Sequence, residues 1–204
     1  AKKAGDHGLR IAIDRAFTVT GSGTVVTGTV VAGQIVAGSD VMLAPQGRAL
    51  RVRGLEGGGA KAEIVTRGQR CGVEVGDVHR GDWLVDPALH APSSRLEVRL
   101  IVQESRIAPL RHAATAQLHI GTAAIAARVL VPRQKSLQPG VEGVVQLVLD
   151  APTSAVNGDR FVLRDPSGKA LIGGGTVLNP LATAQRQSPQ LREAVAAALT
   201  HHDA

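Results

Sequence analysis

Aromatic side chains are almost missing from this sequence. Its 204 residues hold no tyrosine, two phenylalanines (Phe17 and Phe161) and one tryptophan (Trp83). A single-stranded RNA binder that stacks bases needs several exposed rings, so that class is excluded. Cysteine is as scarce. Cys71 stands alone, which excludes an internal disulfide and any cysteine-rich zinc site. There is no run of about 18 apolar residues, so no helix is expected to span a membrane. The opening Ala1-Lys2-Lys3-Ala4-Gly5-Asp6 has no apolar stretch behind its charges and does not read as a signal peptide. Neither sign of charge dominates: 23 Lys and Arg face 17 Asp and Glu, a net +6. These absences predict a soluble, cytoplasmic protein with an aliphatic core.

What is present is a series of short strands separated by glycine. Leu9, Ile11, Ile13, Phe17 and Val19 follow a period of two. Thr24 to Val31 is β-branched except at Gly28, which reads as a bulge or bend. Val41-Met42-Leu43, Leu50 with Val52, Cys71 with Val73 and Val75, and Trp83-Leu84-Val85 continue the pattern between glycine turns. Pro87 to Ser94 reads as a linker. A second set of strand-like runs follows, from Leu96-Val98-Leu100-Val102 through 115–120, 122–131, 143–149 and 160–164 to 169–178. Such spacing predicts an all-β chain of closed barrels or sandwiches. Only the tail reads as a helix, with Ser188 as N-cap, Pro189 behind it, and Leu191, Val195 and Leu199 along one face.

Sites of known chemistry are hard to find. Gly21-Ser22-Gly23 and Gly173-Gly174-Gly175 do not complete a dinucleotide fingerprint, and Gly168-Lys169 does not complete a phosphate loop. Both glycine clusters read as structural turns between strands. His112 and His119 have no third ligand in the pattern, and His201-His202-Asp203 stands by itself, so no metal site is expected. Arg80-Gly81-Asp82 reads as a turn. The basic excess is uneven: residues 1–92 carry 11 basic and 9 acidic side chains, residues 93–204 carry 12 and 8. Its densest stretches hold Arg106, Arg111 and His112, then Arg128, Arg133 and Lys135. Together these are compatible with a face that contacts phosphates.

Arg15 breaks the strand pattern. Alternation puts it on the apolar face with Ile13 and Phe17, so it must be paired, displaced by a bulge, or aimed into a pocket. Asp14 is one possible partner. Arg70 falls on the face opposite Cys71, Val73 and Val75, outside the first barrel. On pattern alone a buried salt bridge for Arg15 and a surface role for Arg70 are favoured.

Beyond pattern, the run Ile13-Asp14-Arg15-Ala16-Phe17 and the following TVTGSGTVVTGTVVAGQIVAGSDVML (18–43) resemble the second domain of translational GTPases such as elongation factor Tu. IDRAFTV (13–19), RVRGLE (51–56), RGQR (67–70) and RGDWLV (80–85) are similar to the bacterial selenocysteine-specific elongation factors. So are HIGTA (119–123), ARVLVP (127–132), VQLVLDAP (145–152), DRFVLRDPS (159–167) and IGGGTVLNP (172–180). The resemblance covers roughly residues 8–182. It implies an all-β fold of two consecutive small barrels of the elongation-factor domain 2 and domain 3 type, with a short C-terminal helix. Domain 2 is expected at 8–91, domain 3 at 92–181, and a linker with the start of a helical region at 182–204.

The resemblance also implies a role. The family carries selenocysteinyl-tRNA to the ribosome at recoded UGA codons. Its aminoacyl pocket maps onto Asp14, Arg15 and Arg70, which displaces the pattern-only reading of both arginines. Barrel two would support the tRNA, with Arg106, Arg111, His112, Arg128, Arg133 and Lys135 as candidate contacts. The family's GTPase motifs and messenger-reading winged helices do not occur in this sequence. GTP and Mg are therefore expected to belong to a GTPase domain elsewhere in the parent chain, with neither cofactor nor catalysis here. Competing readings are the barrels of an initiation-factor gamma subunit, of elongation factor Tu or of a sulfate-activating GTPase subunit, and a scaffold that does not bind tRNA.

Overall fold

A computed structural model describes residues 8–19, 23–132 and 135–183. Its first half contains β1 (Arg10–Val19), β2 (Gly23–Ala32), β3 (Gln34–Val36), β4 (Asp40–Ala44), β5 (Arg48–Arg51), β6 (Gly54–Gly57), β7 (Ala60–Lys61), β8 (Ile64–Thr66), β9 (Arg70–Glu74) and β10 (Trp83–Val85). A single 3-10 turn, Pro87–Leu89, is capped by Asp86 and occupies the expected linker. The second half contains β11 (Ser93–Val102), β12 (Leu110–Arg111), β13 (Ala114–Ile120), β14 (Ala123–Leu130), β15 (Ser136–Leu137), β16 (Glu142–Thr153), β17 (Arg160–Arg164) and β18 (Leu171–Asn179). The helix expected within 182–204 falls almost wholly outside the described residues.

Strand formation follows the alternation. In β13, Ala116, Leu118 and Ile120 are buried while Gln117 and His119 between them are only partly so. Strands β11, β16, β14, β13, β17 and β18 close into a six-stranded antiparallel barrel around Leu96, Leu100, Leu118, Leu147 and Leu163. Closure removes the edge strands that would otherwise present free N–H and C=O groups.

The first half is a barrel whose ladder does not close. Its eight strands run β5-β4-β10-β1-β2-β9-β6-β7 as a curled but open sheet. A separate ribbon, β3 with β8, covers the opening and places Ile35 and Val65 in one core with Ile11, Ile13, Val26 and Leu84. Backbone bonds from Ala62 N to Leu55 O and from Gly38 N to Val52 O tie the ribbon to the sheet near its two ends. Hydrophobic closure is thus complete while the ladder is not.

Two glycine readings change. Gly28 is not bulged. It lies opposite Ile13, and a Cβ there would stand 2.5 Å from the Ala12 carbonyl oxygen, so it permits close approach of two strands. Gly173 to Gly175 are no turn either: they lie inside β18, where a Cβ on Gly175 would meet the Arg99 oxygen at 1.8 Å.

The halves are joined through a buried cation. Arg10, 3% exposed, donates from Nη1 and Nη2 to the two Asp159 oxygens at 2.7 Å and to the Ser154 carbonyl at 3.2 Å. Its guanidinium stacks over Trp83, 4.4 Å from the ring centroid.

Candidate functional site

The break in β1 resolves the anomaly at Arg15. Ile13 pairs with Gly28 and Arg15 with Thr27, so Asp14 is the extra residue of a β-bulge. The bulge turns Arg15 out of the core; it is exposed, and Phe17 beyond it is 46% exposed. Asp14 is not its partner in an ion pair. The Asp14 carboxylate instead takes both Nη groups of Arg70, the Nη2 to Oδ1 distance being 2.8 Å. Sequence pattern placed Arg70 outside the barrel, and it is exposed there.

Thr27 completes the cluster. Its hydroxyl donates to Asp14 Oδ1 at 2.9 Å and accepts from Arg70 Nη2 at 2.9 Å. The outward faces of three adjacent strands, β1, β2 and β9, thereby supply Asp14, Thr27 and Arg70. Arg70 holds the Asp14 carboxyl below the usual carboxylate range, assisted by Thr27 and opposed by partial burial. Arg15 adds a smaller attraction in the same direction. The bond to Asp14 raises the Arg70 pKa in turn. Of the five Arg70 N–H donors, three are engaged in these contacts.

A cavity of about 510 Å³ opens beside this cluster, lined by Thr27, Glu56, Gln69, Arg70, Cys71 and the glycines 58, 59 and 72. Gln69 shapes its rim by accepting from Thr66 N at 2.8 Å and from Thr66 Oγ1 at 3.1 Å. Cys71 borders the cavity but turns its thiol toward the Gly28 carbonyl, 3.7 Å away. Burial pushes its pKa up to about 11, so it stays a neutral thiol. Thr27 was not among the residues singled out from sequence. Its signal was available: alternation through TVVTGTVV puts a hydroxyl between the two charged strands. Glu56 gave no such signal, because it reaches the cavity through the pairing of β6 with β9, which sets it opposite Gly72.

The basic candidates of the second barrel divide into groups. Strands β12 and β15 pair Arg111 with Ser136, and His112 N donates to the Lys135 carbonyl at 2.8 Å. This ribbon therefore gathers Arg111, His112 and Lys135, all exposed. His112 Nδ1 lies 2.8 Å from the Val131 carbonyl. Arg128 projects from β14, while Arg106 sits in the loop before β12 with Nε donating to Ala108 O. Arg133 lies outside the described residues. Among the described residues, no three His, Cys, Asp or Glu side chains are grouped to hold a metal ion.

An open, ribbon-covered sheet followed by a closed six-stranded barrel makes a tandem β architecture. A bacterial selenocysteine-specific elongation factor, EF-Sec, shares it in its crystal structure, with a TM-score of 0.76 at 24% identity over 98% of this chain and 32% of that one. Residues 97–184 match the family model described as "Selenocysteine-specific elongation factor, beta-barrel domain". The selenocysteine-specific elongation factor of Desulfomicrobium baculatum is 33% identical over 177 residues, 84% of this chain and 28% of its own length. That of Escherichia coli is 32% identical over 209 residues, 98% of this chain and 32% of its own. The chain is similar to selenocysteine-specific elongation factors along most of its length, and it spans about a third of the length of these relatives.

Proposed function

We propose that these barrels hold the aminoacyl end of selenocysteinyl-tRNA within a cytoplasmic factor that delivers it to the ribosome at recoded UGA codons. GTP and Mg would be bound by a GTPase domain of the same parent chain, and the messenger by a C-terminal domain. The present barrels then bind and discriminate but perform no chemistry.

The observation that carries this reading is the Asp14–Thr27–Arg70 cluster at the bulge, with Arg15 beside it. An exposed ion pair contributes only about 0–1 kcal/mol to stability, so this cluster is poorly explained as a structural device. Its value lies in geometry. Asp14 fixes the plane of the Arg70 fork and limits repulsion between the two cations, while Asp14, Arg15 and Arg70 together keep one net positive charge. That arrangement suits a small anion. A selenol is a stronger acid than a thiol, whose reference pKa is about 8.5, so at neutral pH the selenocysteinyl side chain is largely a selenolate. A seryl hydroxyl in the same place is neutral. Two guanidinium groups therefore favour the first over the second by charge rather than size.

Barrel two is assigned to the tRNA body. The Arg111–His112–Lys135 ribbon, with Arg106, Arg128 and Arg133 as further candidates, would contact phosphates, and binding there should weaken as salt rises.

The test uses the full-length factor. Arg15→Ala and Arg70→Ala should each weaken selenocysteinyl-tRNA by about 10- to 100-fold, the range for a hydrogen bond to a charged group. Seryl-tRNA should change little. An equal loss for both charged tRNAs, with an unchanged Tm, would sink the anion-binding assignment.

A further inference from the structure

Two motifs have no role in the pocket as described, and the fold brings them together beneath it. One is Arg80-Gly81-Asp82-Trp83, leading into β10. The other is His119-Ile120-Gly121-Thr122-Ala123, the hairpin between β13 and β14. Gly121 has φ +57°, and a Cβ there would stand 2.3 Å from the Trp83 ring. Gly81, at φ +98°, faces Ala123, where a Cβ would come within 3.4 Å of its Cα. The hairpin tip of the second barrel is thus pressed onto the start of β10.

From that tip Thr122 Oγ1 donates to the Ile13 carbonyl at 2.6 Å. The same oxygen accepts from Gly81 N at 3.1 Å, and Ile13 N donates to Asp82 O at 3.0 Å. Ile13 is the last residue of β1 held from both sides. Strand β10 pairs only Arg10 to Ala12, and from Arg15 onward the paired strand is β2 alone. Asp14, the unpaired residue of the bulge, comes next. The direction in which the chain leaves Ile13 sets where the Asp14 and Arg15 side chains point, and a bulge has little ladder of its own to fix that direction.

We infer that Thr122 is a positioning residue: a hydroxyl on barrel two that clamps the Ile13 carbonyl of barrel one and so aims the bulge that carries the aminoacyl pocket. The inference rests on the pocket reading above. It gives the contact between barrels a role in selectivity, separate from the Arg10–Asp159 pair that holds them together.

Thr122→Val keeps the shape and removes the donor. In the full-length factor it should lower the ratio of selenocysteinyl-tRNA to seryl-tRNA affinity by roughly three- to tenfold, the scale of one hydrogen bond. Thr122→Ser should restore the ratio. Asp159→Asn serves as the control for simple loosening of the junction: it should lower Tm at least as much as Thr122→Val yet leave the ratio within about twofold of the parent. An unchanged ratio in Thr122→Val overturns the inference, as does a ratio that falls in Asp159→Asn in proportion to its loss of Tm. Arg70→Ala, measured alongside, separates the two levels. If it shifts the ratio and Thr122→Val does not, the pocket stands and the positioning role fails. If Arg70→Ala leaves the ratio unchanged, the pocket reading itself has failed and the positioning role falls with it.

Discussion

In the closed barrel, the register shifts at Ser93/Arg95 and Leu163/Arg164 fall near strand ends, and the one at Glu97/Val98 in β11 coincides with the end of its partner β18. In the open sheet, one shift falls in the middle of β1 and carries two charged residues with it. The first barrel also leaves its ladder open and fills the gap with a ribbon, whereas the second needs no cover. The contrast shows how labour is divided. A regular barrel is a rigid body that can present surface charge and brace a neighbour. An interrupted one can aim side chains, because a bulge frees them from strict alternation, but it needs bracing. Here the brace comes from the other barrel.

Cutting the two barrels apart electrostatically should have the largest effect. Asp159→Ala leaves the Arg10 guanidinium buried without its carboxylate, and a buried charge stripped of its partner costs about 3–5 kcal/mol. Urea unfolding should show this loss and a separation of the two barrels' transitions. A Tm within a degree of the parent would mean that the junction is not as dry as its burial implies.

Breaking the closure of barrel two comes next. Gly175→Ala drives a Cβ into the Arg99 carbonyl of β11, and neither backbone can yield without opening the ring. A loss on the order of 3 kcal/mol is expected from such overpacking, confined to the second barrel. Hydrogen exchange should report it as lost protection in β11 and β18 with β1 and β2 unaffected.

A smaller effect separates the pocket from the scaffold. Asp14 has its pKa lowered in the folded chain, so it adds stability above the ordinary carboxylate pKa and loses it as pH falls through the lowered value. The stability difference between the parent and Asp14→Asn should be under about 1 kcal/mol at pH 6, because the pair is partly exposed, and it should shrink as pH falls below the ordinary carboxylate range and through the lowered value. Denaturant midpoints across that pH range check this. A difference that grows on acidification would contradict the Asp14–Arg70 pairing.

The all-β character and the two sets of strands were legible in alternation and glycine spacing. So was the misfit of Arg15, for which a bulge stood among the possible explanations. The partner of Asp14 was not legible, because Arg70 is 56 positions away and an adjacent arginine was the nearer candidate. Nor was Arg10. It alternates with Leu9 and Ile11 as an ordinary outward residue would, and only the arrival of the second barrel buries it. The open ladder was hidden for a related reason. Whether edges meet depends on the curl of the whole sheet, which local pattern does not encode.

The claim that the pocket reads charge can be tested without any substitution. Affinity of the full-length factor is measured for the same tRNA carrying selenocysteine or serine, while pH is lowered from neutral through the range where the selenol protonates. Asp14, held low by Arg70, stays ionised across the upper part of that range. The preference for the selenocysteinyl form should fall as the selenol gains its proton, with seryl-tRNA binding nearly flat over the same interval. A preference that persists unchanged after the selenol is neutral would contradict recognition of an anion by Arg15 and Arg70.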